Sequence, residues 1–233
     1  MSLRIEVLSS FGKELMIVES EHKIDSKIVF FLEKNIKEFK PDTILVEGNF
    51  DIANYKDANE AINFGGDMGF VTYLAKKNGI AVLSNDPPFE EDIDFLKKEY
   101  DKEFSFVYFF LRKKSLMIEM KEYISHKSDE EIIYNFSQYA KWNNFEFSSV
   151  QINKAYKRIF GTDMEEKAYS DYFNPTLDIN VFNEATKKLN KFRDEYMIKI
   201  LRNIFKIHKK VFLIKGSYHI KTNLEKIKDV LNE

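Results

Sequence analysis

Thr43-Ile44-Leu45-Val46-Glu47-Gly48 is the stretch on which the reading of the fold turns. Four aliphatic or β-branched residues run without a polar break and stop at an acid and a glycine. A run this short and this apolar reads as a strand covered on both faces, because a half-exposed strand would alternate with polar residues. Three more runs behave alike: Leu15-Met16-Ile17-Val18 runs into Glu19-Ser20-Glu21-His22, Ile80-Ala81-Val82-Leu83 into Ser84-Asn85-Asp86-Pro87-Pro88, and Val211-Phe212-Leu213-Ile214 into Lys215-Gly216-Ser217-Tyr218-His219. Strands buried on both faces belong to a parallel sheet sandwiched by helices.

Outward from these runs the chain turns helical. Between Ser26 and Phe39 the apolar residues Ile28, Leu32, Ile36 and Phe39 share one helical face, and Lys40-Pro41 closes it. A second helix runs from Asp67 to Asn78, with Gly79 as its C′ residue. Residues 14–86 therefore read β-α-β-α-β, the alternation of an α/β domain. A long helix starts at the N-cap Asn180 and runs to about His208, carrying Phe182, Ala185, Leu189, Phe192, Tyr196, Ile200 and Ile204 on one face. The last helix is expected from about Thr222.

The middle differs. Ser128-Asp129-Glu130-Glu131 is a capping-box pattern that opens a helix, and Ser149 to Phe160 reads as another, ended by Gly161. Phe104 to Leu111 is almost wholly apolar and reads as a buried helix, with a dimer contact or an apolar ligand pocket as alternatives. The expectation is a single α/β domain, 1–233: a mainly parallel sheet flanked by helices, with a helical insertion, 89–175, covering the carboxyl edge of the sheet.

Composition narrows the function classes. The chain has 233 residues, 44% hydrophobic and 15% aromatic, enough for a sizeable core and too apolar for intrinsic disorder. Thirty-six basic residues against 38 acidic ones leave a net charge of −2, so nucleic acid is not an expected partner. The absence of cysteine excludes disulfides, thiolate metal sites, iron–sulfur clusters and a Cys nucleophile. No apolar run is long enough to span a membrane, and the first ten residues hold no apolar signal core, so a cytoplasmic protein is expected.

In parallel α/β sheets, sites form beyond the carboxyl ends of the strands. Here those ends carry His22, Glu47, Asp86 and His219, two of the chain's four histidines among them. Such a set can hold a divalent metal with a position open for water, or can activate water without metal, one His taking the proton while a Glu orients the ring. Gly65-Gly66-Asp67 reads either as a turn with an N-cap or as a helix start holding a polar or anionic group. Arg193 falls in the apolar stripe of the long helix, one of only five arginines in a Lys-rich chain. A buried guanidinium needs a carboxylate or a bound anion. Its partner could be Glu47, Glu19 or Glu21; the plainer reading is a structural ion pair with Asp194 or a helix neighbour, and the functional one is a clamp on a substrate carboxylate, phosphate or developing oxyanion.

The order of these pieces resembles the superfamily that groups TraB/PrgY-type proteins, Tiki proteases, ChaN-like haem-uptake lipoproteins and erythromycin-esterase-like hydrolases. The matching stretches are Leu15–His22, Thr43–Gly48, Gly65–Asp86, Tyr172–Pro175, Arg193–Met197 and Val211–His219. The resemblance implies that His22 and His219 are the family's paired histidines, Glu47 the acid after the second strand, and Arg193-Asp194 the late helical pair. Glu19 stands where the family usually has Gly, which puts a carboxylate near the site. The Tiki branch implies a metal held by His22, Glu47 and His219; the erythromycin-esterase branch implies water activation by His and Glu alone; the ChaN branch implies haem.

The resulting expectation is a hydrolase. His22, Glu47, Arg193 and His219 would carry the reaction, and Glu19, Glu21, Gly65, Gly66, Asp67, Asp86 and Asp194 would hold a small-molecule or peptide substrate. A non-catalytic module binding haem or another small molecule is the alternative, and a homodimer is a further expectation.

Overall fold

The computed structural model describes residues 4–20, 25–48, 53–119, 127–165 and 169–233. The chain divides into two compact units, Met1–Pro87 with Phe192–Glu233, and Pro88–Lys191. The fold is α/β, with a five-stranded, mostly parallel sheet and eight α-helices among the described residues.

The first unit holds the sheet. Its strands are β1 (Arg4–Ser10), β2 (Lys13–Ser20), β3 (Thr43–Val46), β4 (Ala81–Ser84) and β5 (Lys210–Gly216), in the order β1-β2-β5-β3-β4. Only β1 is antiparallel, pairing with β2. The helices of this unit are α1 (Ser26–Phe39), α2 (Ala58–Lys77), the later part of α7 (Val181–Ile204), and α8 (Ser217–Asn232). The β-α-β-α-β reading of residues 14–86 matches β2-α1-β3-α2-β4.

The apolar runs build this unit by alternation. Met16, Val18, Ile44, Val46, Phe212 and Ile214 pack with Ile28, Leu32 and Ile36 of α1 and Met68, Val71 and Leu74 of α2. The intervening residues, Leu15, Ile17, Leu45, Val211 and Leu213, pack on the other face with Met197, Leu201 and Phe205 and with Ile220, Ile227 and Val230 of α8. Successive side chains on a strand point to opposite faces, so an unbroken apolar run is what a doubly covered strand requires. Each such side chain contributes roughly 1.5–3 kcal/mol on burial.

Four local outcomes differ from the sequence reading. α2 begins at Ala58 rather than at Asp67. β1 was not expected; it is an edge strand joined to β2 through Phe11 and Gly12, both at positive φ (50° and 78°), as a two-residue type I′ hairpin turn requires. β4 is only half covered, with Leu83 at 38% exposure, because it ends the sheet and has one neighbour. α8 begins at Ser217 rather than near Thr222, since Gly216 ends β5 and caps the helix without a loop.

The second unit is helical: α3 (Phe89–Glu99), α4 (Lys102–Glu119), α5 (Asp129–Ala140), α6 (Ser149–Phe160), a 3-10 turn (Ser170–Phe173) and the first turns of α7. The capping box is formed: Ser128 Oγ accepts from Glu131 N, and Glu131 Oε2 accepts from Ser128 N. Ser148 caps α6 and Gly161 ends it at φ 74°. Phe104 to Leu111 is buried throughout, so its apolar side chains are used inside this unit. Phe106 meets Phe136, Phe145 and Phe147 at 5.3, 5.6 and 5.4 Å between ring centroids. Buried Asn183 donates to the carbonyls of Asp171, Tyr172 and Asn174, tying the 3-10 turn to α7. No helix among the described residues is long and apolar enough to cross a membrane.

Candidate functional site

The β-pleat decides which side chains gather at the carboxyl edge of the sheet. Glu19 and Lys215 are paired in the β2–β5 register and continue the pleat of Ile17 and Leu213, toward the α7/α8 face. Glu47 follows Leu45 in the same sense, and its N–H bonds Ile214 O at 3.2 Å. α1 follows β2 on one face of the sheet and α8 follows the neighbouring β5 on the other. Neighbouring strands whose helices leave to opposite faces open a crevice between their ends.

Five consecutive residues, Lys215 to His219, organise this edge. Lys215 Nζ donates to Asp86 Oδ1 at 2.5 Å and to Asn85 Oδ1 at 2.9 Å. Gly216 N donates to Glu47 Oε2 at 2.5 Å. Ser217 Oγ donates to Glu19 Oε2 at 2.8 Å. His219 Nδ1 lies 2.6 Å from Asp194 Oδ1. Thus four carboxylates, from β2, from the ends of β3 and β4, and from α7, each engage one residue of this segment. The chain reverses from strand to helix at Gly216, which brings an ammonium, an amide, a hydroxyl and an imidazole within five positions of one another.

Burial makes these bonds matter. Lys215 and Asn85 are fully buried, Asp86, Asp194 and His219 nearly so, and Glu19 is 9% exposed. A buried ion needs a partner, and hydrogen bonds to charged groups contribute about 1.5–3 kcal/mol each. Burial alone would raise the Asp86 pKa. The ammonium of Lys215 beside it, then the Arg193 guanidinium, the Lys215 hydrogen bond and His219 outweigh that and lower it to about 2. Asp86 Oδ2 also accepts from Gly48 N at 3.1 Å, so the turns after β3 and β4 are joined. Glu19 further meets Arg4 and Lys221, each at 3.6 Å.

Of the residues expected at the site, Glu19, Glu47, Asp86, Asp194 and His219 are brought together in this network, and Arg193 acts electrostatically on Asp86. Asp194 engages His219, and Asp86, which was not among the expected partners of Arg193, feels its guanidinium. Glu21 and His22 lie outside the described residues.

Gly65-Gly66-Asp67 serves the opposite pleat. Gly66 breaks α2 with φ 56° and ψ −139°, a region open essentially to glycine alone. Asp67 restarts the helix, accepting from Met68 N at 2.9 Å and from Ser20 Oγ at 2.5 Å, and it is 1% exposed. Ser20 shares the pleat of Met16 and Val18, which explains why it meets α2 rather than the Lys215 segment.

Sequence reasoning missed Lys215, Asn85 and Ser217. A lysine after an apolar run reads as the solvated end of a strand. The available signal was parity, since Lys215 repeats the inward positions of Val211 and Leu213. Two surface grooves of the first unit, about 400 and 480 Å³, contain none of the network: one is lined by Lys13, Arg202 and Phe205 among others, the second by Ile36, Pro41 and Leu74 among others.

A metal centre of the kind the resemblance implies would use His22, Glu47 and His219. Of these, His22 lies outside the described residues, Glu47 Oε2 accepts from the Gly216 amide, and His219 holds Asp194 on Nδ1, which leaves Nε2 to face a ligand; no group of three His, Asp or Glu side chains among the described residues is arranged to hold an ion. No family model matches the chain, and neither the curated proteins nor the solved structures contain a match.

Proposed function

We propose that this chain is a hydrolase of the ChaN, Tiki and erythromycin-esterase-like type that activates water at the carboxyl edge of its sheet. The observation that carries the reading is the Asp194–His219 pair, 2.6 Å apart and largely buried at the start of α8. A carboxylate on Nδ1 fixes the ring orientation and the tautomer that leaves Nε2 to accept a proton from water. As that proton arrives, Asp194 stabilises the imidazolium. Glu47, fixed by the Gly216 amide, and His22 complete the water-activating set, and Arg193 meets negative charge developing on the substrate. The substrate class is an ester, a peptide or another acyl or phosphoryl bond of a small molecule or peptide. A cytoplasmic setting accords with the cysteine-free composition.

The test is a hydrolysis screen over carboxyl esters, peptides and phosphoesters with wild type, His219→Gln and Asp194→Asn. Loss of the general base is expected to lower kcat by roughly 10²–10⁴-fold. Asp194→Asn, which favours the wrong tautomer, should fall by a similar factor. Wild-type rates in both folded variants, on every substrate that is turned over, would overturn the assignment.

A further inference from the structure

Lys215 is the most deeply buried charged residue of this edge. Its ammonium is wholly buried at the end of a central strand, with Asp86 at 2.5 Å and Asn85 at 2.9 Å. Its register partner on β2 is Glu19, and Glu47 holds the amide of the next residue. The carboxylate oxygen of Asp86 and the amide oxygen of Asn85, which meet this charge, are of the donor chemistry of a hard divalent cation. Here a covalently tethered cation takes that role.

We propose that Lys215 is a resident cation that stands in place of a divalent metal and holds Asp86 and Asn85 in place at this edge. This rests on the reading of the carboxyl edge as the site, and it names how that site is charged. The tether has two consequences. The positive charge stays on the chain whatever the free metal concentration. It also lies on the same short segment as His219, so the charge and the base are positioned by one strand-to-helix junction. Lys215 is thus a positioning residue: it orders Asp86 and Asn85 and through Asp86 the Gly48 amide, without touching the reacting atoms. Arginine is no equivalent in shape, since its planar fork would need a wider space than the compact ammonium fills.

Removing the charge should create what the lysine replaces. In Lys215→Gln the amide can still bond Asp86 and Asn85, while its oxygen adds a hard ligand; Lys215→Ala leaves room for an ion with its waters. The experiment is a Mn²⁺ titration followed by electron paramagnetic resonance, on wild type, both variants and Lys215→Gln/Glu47→Gln, with circular dichroism to confirm folding. Wild type should show no saturable site at micromolar Mn²⁺. At least one neutral variant should gain a site binding about tenfold or more tighter, equivalent to about 1.4 kcal/mol, and the added Glu47→Gln should weaken it again.

A tight stoichiometric Mn²⁺ site in wild type, weakened by Glu47→Gln, overturns the proposal, and that arm needs no Lys215 variant to fold. If both neutral variants fold and neither gains affinity, the proposal is overturned as well. The titration reads no turnover. A failed hydrolysis screen therefore leaves its result standing, and metal binding by wild type leaves the Asp194–His219 assignment to its own test.

Discussion

The two units of this chain fill their interiors in opposite ways. The helical unit relies on rings: Phe106, Phe136, Phe145, Phe147 and Trp142 meet edge-on, stacked or tilted, with centroids 5.0–6.1 Å apart. The sheet unit is mainly aliphatic between its layers, with Phe39, Phe70, Phe205 and Phe212 among the branched residues, but buries a chain of charges at the carboxyl edge, with Lys215, Asp86, Asp194 and His219 all under 9% exposed. Aromatic packing is insensitive to protonation and tolerates loss in proportion to area. A buried charge network is all-or-none at each pair, because removing one partner leaves the other desolvated and alone. A core needs the first arrangement; chemistry at a strand edge needs the second.

That contrast can be broken by substitution. Phe106→Ala should have the largest effect, about 3–5 kcal/mol, since it empties a site among three rings. Native-state hydrogen exchange should place the loss in α4, α5 and α6, with no dependence on pH between 5 and 2. Lys215→Met should cost about 3 kcal/mol or more, because Asp86 is left buried without its cation. The Lys215→Met/Asp86→Asn double variant should recover part of that in urea unfolding, whereas no second substitution of a charge would rescue Phe106→Ala. If the double variant is no better than the single, Lys215 acts by its bulk and the contrast fails.

The smallest effect is the pH dependence. Asp86 has its pKa lowered from 3.8 to about 2 in the folded chain. Its contribution is therefore complete above the ordinary carboxylate range and disappears as pH falls from about 4 to 2. Its size is on the order of 2 kcal/mol. Urea midpoints in that window should drop in wild type by more than in Asp86→Asn.

Much of this architecture was legible because it depends on local chemistry. The runs Leu15–Val18, Thr43–Val46 and Val211–Ile214 can lie only in covered strands, and Ser128 with Glu131 can hardly be anything but a capping box. β1 was missed because Arg4–Ser10 has the mixed polarity of an edge, where packing imposes no strong pattern. At the edge of the sheet, the positions of Glu47, Asp86 and His219 followed from topology, whereas Asp194 was named only beside Arg193, by the resemblance and as its ion-pair alternative. Their pairings did not, since which carboxylate meets which donor depends on the register of β5 between β2 and β3 and on α8 starting at Ser217. Lys215 was the least visible, because its role reverses the usual habit of lysine and only tertiary burial reveals it.

The place of β5 in the sheet has a further consequence for biosynthesis. The strands that flank it, β2 and β3, leave the ribosome some 165 to 195 residues before it, and neither pairs with the other. Until Lys210–Gly216 emerges, the nascent polypeptide holds two separate strand edges and an unbalanced set of acids, a state that invites chaperone contact. Closure of the sheet and neutralisation of those acids then arrive in a single late event.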